Sequence, residues 1–385
     1  MGLLALAVIL AIVLFPRFRA ERIPEPVPVE IVVPPMVDAA AIYVYGESLL
    51  MELVDDAGGK YFCPELALYA ATRVDGYDAL AEEDGFIVRH EYSAYVNQGL
   101  PLWQLPAGTF TFQSAGLSIA AANCNLPEGY TLTRGGMNKH WRFYEEEGLL
   151  CLEIRDVVSL PPDVYDIFID VGHGGEDPGA AAFGLVEREE NLKSSLYMAE
   201  LLRAHGLKVK LSREDNNITG GTAAEDNPYL SGARVDLFYR SGAKYVISNH
   251  LNAPEASGFQ IYSSVKTDLA FSRAIAQKLV DMGWHANNQG YGLVENGMYK
   301  RRSNTYSLGI RDYYFVVRET GGYTLSPYHY RLANREQDER IFMGAETILM
   351  EYLFIDNRGD NQYWQENWQR LVKAVVDGAV EYWKL

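Results

Sequence analysis

The stretch Asp166-Ile167-Phe168-Ile169-Asp170-Val171-Gly172-His173-Gly174-Gly175-Glu176-Asp177-Pro178-Gly179-Ala180 decides how this chain is read. Up to Val171 it is apolar apart from its two aspartates, which predicts a buried strand over Asp166–Val171. The strand empties into a segment too rich in glycine to be scaffold. Glycine permits tight turns and close approach of the backbone to a neighbour. The one side chain in that turn able to bind a borderline-soft metal as a neutral ligand is His173.

Downstream, short apolar runs alternate with helical patterns. Strands are expected at Leu207–Leu211, Tyr245–Asn249, Phe259–Ser263, Tyr313–Val317 and Ile348–Leu353, and helices at Glu187–His205, about Gly232–Ser241, Asp268–Gly283 and Gln362–Trp383. That grammar gives an α/β fold with a mostly parallel twisted sheet flanked by helices, which presents function beyond the C-terminal ends of its strands. The strand beginning at Tyr245 delivers a second histidine there, His250. Between the two histidines Glu187 opens a helix, whose N-terminus favours a carboxylate. A plain N-terminal helix acid is the bland reading of Glu187 taken alone. Taken together, two histidines and a carboxylate leave the fourth position of tetrahedral zinc open for water, the arrangement of catalytic rather than structural sites. Amide hydrolysis also needs a proton carrier. Glu351 is the candidate, because a carboxylate inside the apolar run Ile348–Phe354 is costly unless it is paired or at work.

These blocks resemble, in the same order, those of zinc-dependent N-acetylmuramoyl-L-alanine amidases. The matching residues are Ile169–Ala180, Glu187-x3-Asn191-Leu192, Ser248-x-His250-x-Asn252-Ala253 and Leu349-Met350-Glu351-x-x-Phe354-x-x-Asn357. Ser212-Arg213-Glu214-Asp215 and Arg234 also fit the family pattern. The resemblance covers about residues 165–385 and implies the amidase, phosphorylase/hydrolase-like fold. It implies one zinc ion per chain held by His173, Glu187 and His250, with Glu351 as catalytic acid/base. The substrate is then peptidoglycan, cut between N-acetylmuramic acid and L-alanine. Two alternatives stay open: a zinc peptidase acting within the stem peptide, and a non-catalytic wall-binding or regulatory module on the same fold.

Departures from the family bear on specificity. Asn249 replaces a β-branched apolar residue, so that strand end is expected to be less buried or differently hydrogen-bonded. About 25 residues, Glu319–Met343, are inserted before the Glu351 strand, as a substrate loop or an autoinhibitory lid. Nearby tyrosines suit sugar faces and arginines suit carboxylates, and Asn252 and Arg318 are the expected substrate-binding residues.

The N-terminal part reads differently. Residues 1–20 are read as an apolar signal or anchor segment, although Arg17, Arg19 and Arg22 come after its apolar run Met1–Phe15, opposite to what export predicts. Residues 21–39 are a Pro-rich linker. Residues 40–160 form a small α+β or mostly β domain, with alternating runs at Phe86–Tyr95, Thr109–Gln113, Trp141–Tyr144 and Leu149–Ile154 and one helix at Pro64–Arg73. Cys63, Cys124 and Cys151 match no metal spacing and are read as one disulfide plus a thiol, or as three buried apolar residues. The chain of 385 residues has a net charge of -17, and no basic run offers a nucleic-acid surface. The first 160 residues hold 10 basic and 21 acidic residues, so they make a poor electrostatic wall anchor. A regulatory protein is the expected partner of residues 40–160 or of 319–343. The expected location is extracytoplasmic, in the cell envelope, membrane-anchored or secreted.

Overall fold

The structure, a computed structural model, describes residues 39–54, 60–61, 65–74, 77–80, 86–89, 100–114, 117–118, 128–217, 233–254, 256–264, 267, 269–305, 309–321 and 345–385. The apolar segment, all but one residue of the Pro-rich linker, Cys63, Cys124 and most of the 319–343 insertion lie outside these residues. One compact unit runs from Asp38 to Leu385. Among the described residues no helix is long and apolar enough to cross a membrane.

The central sheet has seven strands: β1 (Ile167–Val171), β2 (Val209–Leu211), β3 (Tyr245–Asn252), β4 (Gln260–Ser263), β5 (Leu293–Glu295), β6 (Met298–Tyr299) and β7 (Glu346–Phe354). Their order is β2-β1-β3-β7-β4-β6-β5. The first four are mutually parallel, β4 is antiparallel to β7, and the last two extend that edge. Helices α1 (Glu187–Ala204), α2 (Arg234–Ser241), α3 (Ala270–Asp281) and α4 (Arg358–Trp383) complete the layers. A mostly parallel sheet covered on both faces matches the expected fold class.

Strand alternation divides the side chains into two cores. Ile167, Ile169, Ile247, Ile261, Ile348, Met350 and Tyr352 pack with Met198 and Leu202 of α1, Phe271 and Ile275 of α3, and Leu371 and Val375 of α4. The opposite face carries Phe168, Val246, Tyr262, Tyr299 and Leu349 against Phe238 of α2 and Val316 and Val317. On this second face the next residues toward the C-terminal strand ends are polar: Asp170, Ser248, His250 and Glu351. One face therefore changes from core to site within two residues of each strand.

One expected strand is absent. Tyr313–Val317 is not extended: Phe315 and Val316 begin a short helical segment that continues through Val317–Gly321. Its apolar residues are satisfied as a cap on the second core rather than in a ladder, a tertiary choice that an apolar run of five cannot reveal.

The described part of residues 39–157 is built from strands and one 3-10 turn at Leu102–Gln104. The helix expected at Pro64–Arg73 is instead the strand Glu65–Val74, paired with Gly108–Ser114, Tyr77–Leu80 and Phe86–Arg89. Alanine and leucine give that run a helical propensity, but pairing on both sides overrides it. Asn138–Glu146 and Leu149–Val157 continue this antiparallel sheet. A smaller sheet holds the hairpin Ala39–Tyr45 and Ser48–Val54.

The hairpin turn docks on the base of the central sheet. Glu47, 3% exposed, accepts hydrogen bonds from the Leu132 amide at 2.6 Å, the Arg134 guanidinium at 2.9 and 2.5 Å and the Tyr245 hydroxyl at 2.9 Å. Arg134 Nε donates to the Trp383 carbonyl at 2.8 Å. Tyr245 begins β3, whose other end carries His250, so this node lies at the opposite end of the sheet from the polar cluster.

Candidate active site

The metal-ligand candidates come from three separate elements. His173 follows β1 in a left-handed conformation, φ 57°, which is uncommon for a side-chain-bearing residue and is tolerated where surroundings over-determine it. Glu187 is the first residue of α1, and His250 lies on β3 opposite Glu351 of β7. His173 Nε2 and His250 Nδ1 both lie 3.1 Å from Glu187 Oε1. One ligand atom from each of the three residues lies within 4.8 Å of the others.

The loop around them leaves no slack. A Cβ on Gly172 would sit 2.4 Å from His250 Cε1 and 2.6 Å from the Asn249 carbonyl. One on Gly179, already at φ +63°, would sit 2.5 Å from Glu187 Oε2. Arg213 holds the same turn from outside, donating to the carbonyls of Val171, Gly172, His173, Arg188 and Asp215. Burial lowers its pKa to about 10. Arg234 at the start of α2 pairs with buried Asp170 at 2.9 Å and also reaches the His173 carbonyl. Burial pushes the Asp170 carboxyl up, but Arg234 and the Ser248 hydroxyl outweigh it and hold the group below its usual range.

Asp177 lies 2.5 Å from His173 Nδ1 and accepts from the Gly179 amide at 2.9 Å. Such a carboxylate fixes the ring's orientation and leaves Nε2 facing Glu187. Burial works against protonation of His173, yet its hydrogen bonds to Glu187 and Asp177 raise its pKa. Burial likewise opposes ionisation of Glu187, but both histidines hold its carboxyl far below the usual range.

Glu351 is 7% exposed, and its Oε2 has no hydrogen-bond partner among the described residues. Burial, reinforced by the Glu187 charge and only partly countered by Arg301, raises its pKa well above that of a free carboxyl. The salt bridge that would explain it blandly does not occur among the described residues. Asn252 is near: its Nδ2 donates to Gln260 Oε1 at 2.6 Å, and Gln260 pairs with Glu351 across β4 and β7. Arg318 is elsewhere engaged, with Glu319 and the carbonyls of Asp312 and Tyr313. The helical segment through 317–321 sets its guanidinium against these neighbours. Asn249 is fully buried, donating to Ser195 and accepting from Tyr352, so the hydrogen-bonding alternative for that departure is the one realised.

Sequence reasoning missed Asp177, Gln260 and Arg301. Asp177 had a usable signal, a carboxylate four residues after His173 across a glycine turn. Gln260 and Arg301 reach Glu351 only through strand register and had none.

Two imidazoles at strand ends and a carboxylate at a helix start, beside a buried carboxyl whose pKa is raised, define an α/β protein with a metal-hydrolase type of site. The family model described as N-acetylmuramoyl-L-alanine amidase matches residues 167–381, and the chain belongs to that family. It is similar to the endolysin of Bacillus phage SPP1, 30% identical over 133 residues, 34% of this chain and 45% of that protein. It is also similar to the N-acetylmuramoyl-L-alanine amidase CwlM of Bacillus licheniformis, 35% identical over 98 residues, 25% and 35% of the two chains. Among solved structures, the N-acetylmuramoyl-L-alanine amidase AmiC2 of Nostoc punctiforme aligns over 58% of this chain and 98% of that one, with 20% identity and a TM-score of 0.40. The alignments with these two curated relatives span less than half of each relative's length.

Proposed function

We propose that this chain is a zinc-dependent N-acetylmuramoyl-L-alanine amidase that acts on peptidoglycan outside the cytoplasm. The observation that carries the reading is the convergence of His173, Glu187 and His250 at the end of the sheet face that also bears Glu351. The donor set fits zinc: two nitrogens and one oxygen, three protein ligands, and Asp177 behind one imidazole. When bound, zinc supplies a Lewis acid for the carbonyl and lowers the pKa of water to about 7.

The chain's own residues supply the rest. Glu351 accepts a proton from the attacking water and delivers it to the departing L-alanine nitrogen, so that the lactyl group leaves as a carboxylate. A carboxyl with a raised pKa is suited to give the proton back. It is also ready to receive one, because a cation among the ligands offsets the Glu187 charge that helps keep Glu351 protonated. Asn252 is hydrogen-bonded to Gln260, the cross-strand partner of Glu351, and is the candidate substrate contact on that side. Residues 40–160 and 319–343 are the candidate surfaces for a regulatory protein.

The test is the full chain, loaded with zinc or stripped by chelator, on purified peptidoglycan. Release of stem peptides with a free L-alanine amino terminus, abolished by chelator, is expected. Glu351→Gln should retain one zinc per chain and lose about 100- to 10,000-fold in kcat. Fragments in which L-alanine stays joined to the lactyl group, with cleavage further along the peptide, would instead establish the peptidase.

A further inference from the structure

Among the described residues, the Arg301 guanidinium, whose charge acts on Glu351, makes no hydrogen bond or ion pair with a carboxylate. Arg301 lies two residues after Tyr299, the last residue of β6, which pairs with Tyr262 of β4, two residues from the Gln260 that faces Glu351. Its guanidinium carbon lies 4.7 Å from the Tyr262 ring centre and 5.8 Å from those of Tyr299 and Tyr314. Nη1 donates to the Tyr314 hydroxyl at 3.0 Å and Nε to the Tyr291 carbonyl at 3.1 Å. Three rings and two hydrogen bonds fix the plane of the fork. Nη2 has no hydrogen-bond or ion-pair partner among the described residues, although the chain has 51 acidic residues to 34 basic ones.

Enclosure by aromatic faces satisfies a cation only in part, and a planar fork held in one orientation is suited to a carboxylate. The site is also open. Arg301 is half-buried, and Tyr291 and Tyr313, which contact it through their main chains, are 66% and 57% exposed. Exposed tyrosines around a fixed cation give a ligand both an apolar face and a charge to meet.

We infer that Arg301 is a specificity-determining anion subsite, which receives a carboxylate of the stem peptide on the L-alanine side of the scissile amide. The inference rests on the amidase reading. It predicts a preference for a free carboxylate over a carboxamide on the residue after L-alanine. Arg301 then orients the leaving peptide so that its nitrogen meets Glu351.

The experiment uses the zinc-loaded full chain and a matched pair of stem tripeptides beginning with L-alanine, the second residue carrying either a free carboxylate or its carboxamide. Calorimetry reads their binding without turnover, and the N-acetylmuramoyl derivatives of both read cleavage. The native chain should bind the free acid at least about tenfold more tightly, an advantage that shrinks with salt. Arg301→Gln should reduce that ratio to about two or less, its loss in cleavage of the acid falling on KM more than on kcat. Arg301→Lys should recover part of the ratio and shows that charge, not folding, is at issue. Equal binding of the two peptides by the native chain overturns the inference, and so does an equal loss for both peptides in Arg301→Gln. Preference without release of L-alanine-terminated peptide leaves the subsite and removes the amidase; cleavage without preference does the reverse.

Discussion

Gly172 carries no chemistry, yet it decides whether His250 has room. Its missing side chain lets β1 and β3 bring His173 and His250 against Glu187, and a methyl group there would overlap both an imidazole and a main-chain carbonyl. Gly172→Ala is therefore expected to lower zinc affinity by at least tenfold, with chelator competition as the measurement. The pKa pattern gives a second prediction. His173 is raised above 6.5 in the metal-free fold, so its contribution to stability is complete below that value and lost as pH rises through the folded value. Glu187, held far below 4.5, stays ionised throughout this window and adds no slope. Zinc must displace the His173 proton, so its affinity should fall by about tenfold per pH unit below the raised value for each proton displaced. Metal-free melting points should decline as pH rises above about 6.5, the ordinary histidine value, while those of the zinc-loaded protein rise. At this scale the sequence was legible where chemistry is rare: histidines at strand ends, and a carboxylate in an apolar strand. It was illegible where a residue gains its role from neighbours across the sheet, as Gln260 and Arg301 do.

For whole elements, legibility depended on length. Helices α1, α3 and α4 are long and periodic and lie close to their expected bounds, whereas Tyr313–Val317 and Pro64–Arg73 were misassigned. In both, short runs with ambiguous periodicity took the form their packing partners imposed. Strand β3 shows how strict the site is at this level. His250 faces the polar cluster and Asn249 the opposite side, where it bonds Ser195 and Tyr352. A slip of one residue exchanges the faces. Inserting a single alanine between Tyr245 and His250 should abolish zinc binding, measured by metal analysis of the purified protein. The same insertion in the exposed turn at Glu147-Gly148 should leave one zinc per chain. Retention of zinc by the first variant would contradict the register described.

Across the molecule, the N-terminal hairpin and the central sheet are joined by a buried polar node rather than a loose contact. Removing one partner of a buried ion pair costs about 3–5 kcal/mol, so Glu47→Ala should move the urea midpoint of the full chain markedly lower. Zinc content at low denaturant should stay unchanged, because the ligands lie at the other end of the strands. An unmoved midpoint would show that the node contributes nothing. None of it was legible beforehand: Glu47, Arg134, Tyr245 and Trp383 carry no motif and meet only through tertiary folding. Their spacing also has a consequence for biosynthesis. Glu47 and the Trp383 carbonyl hold the same guanidinium, so the base of the sheet cannot be locked until translation has passed Trp383. A nascent chain that has already passed His173, Glu187, His250 and Glu351 still lacks the carbonyl that closes this clasp.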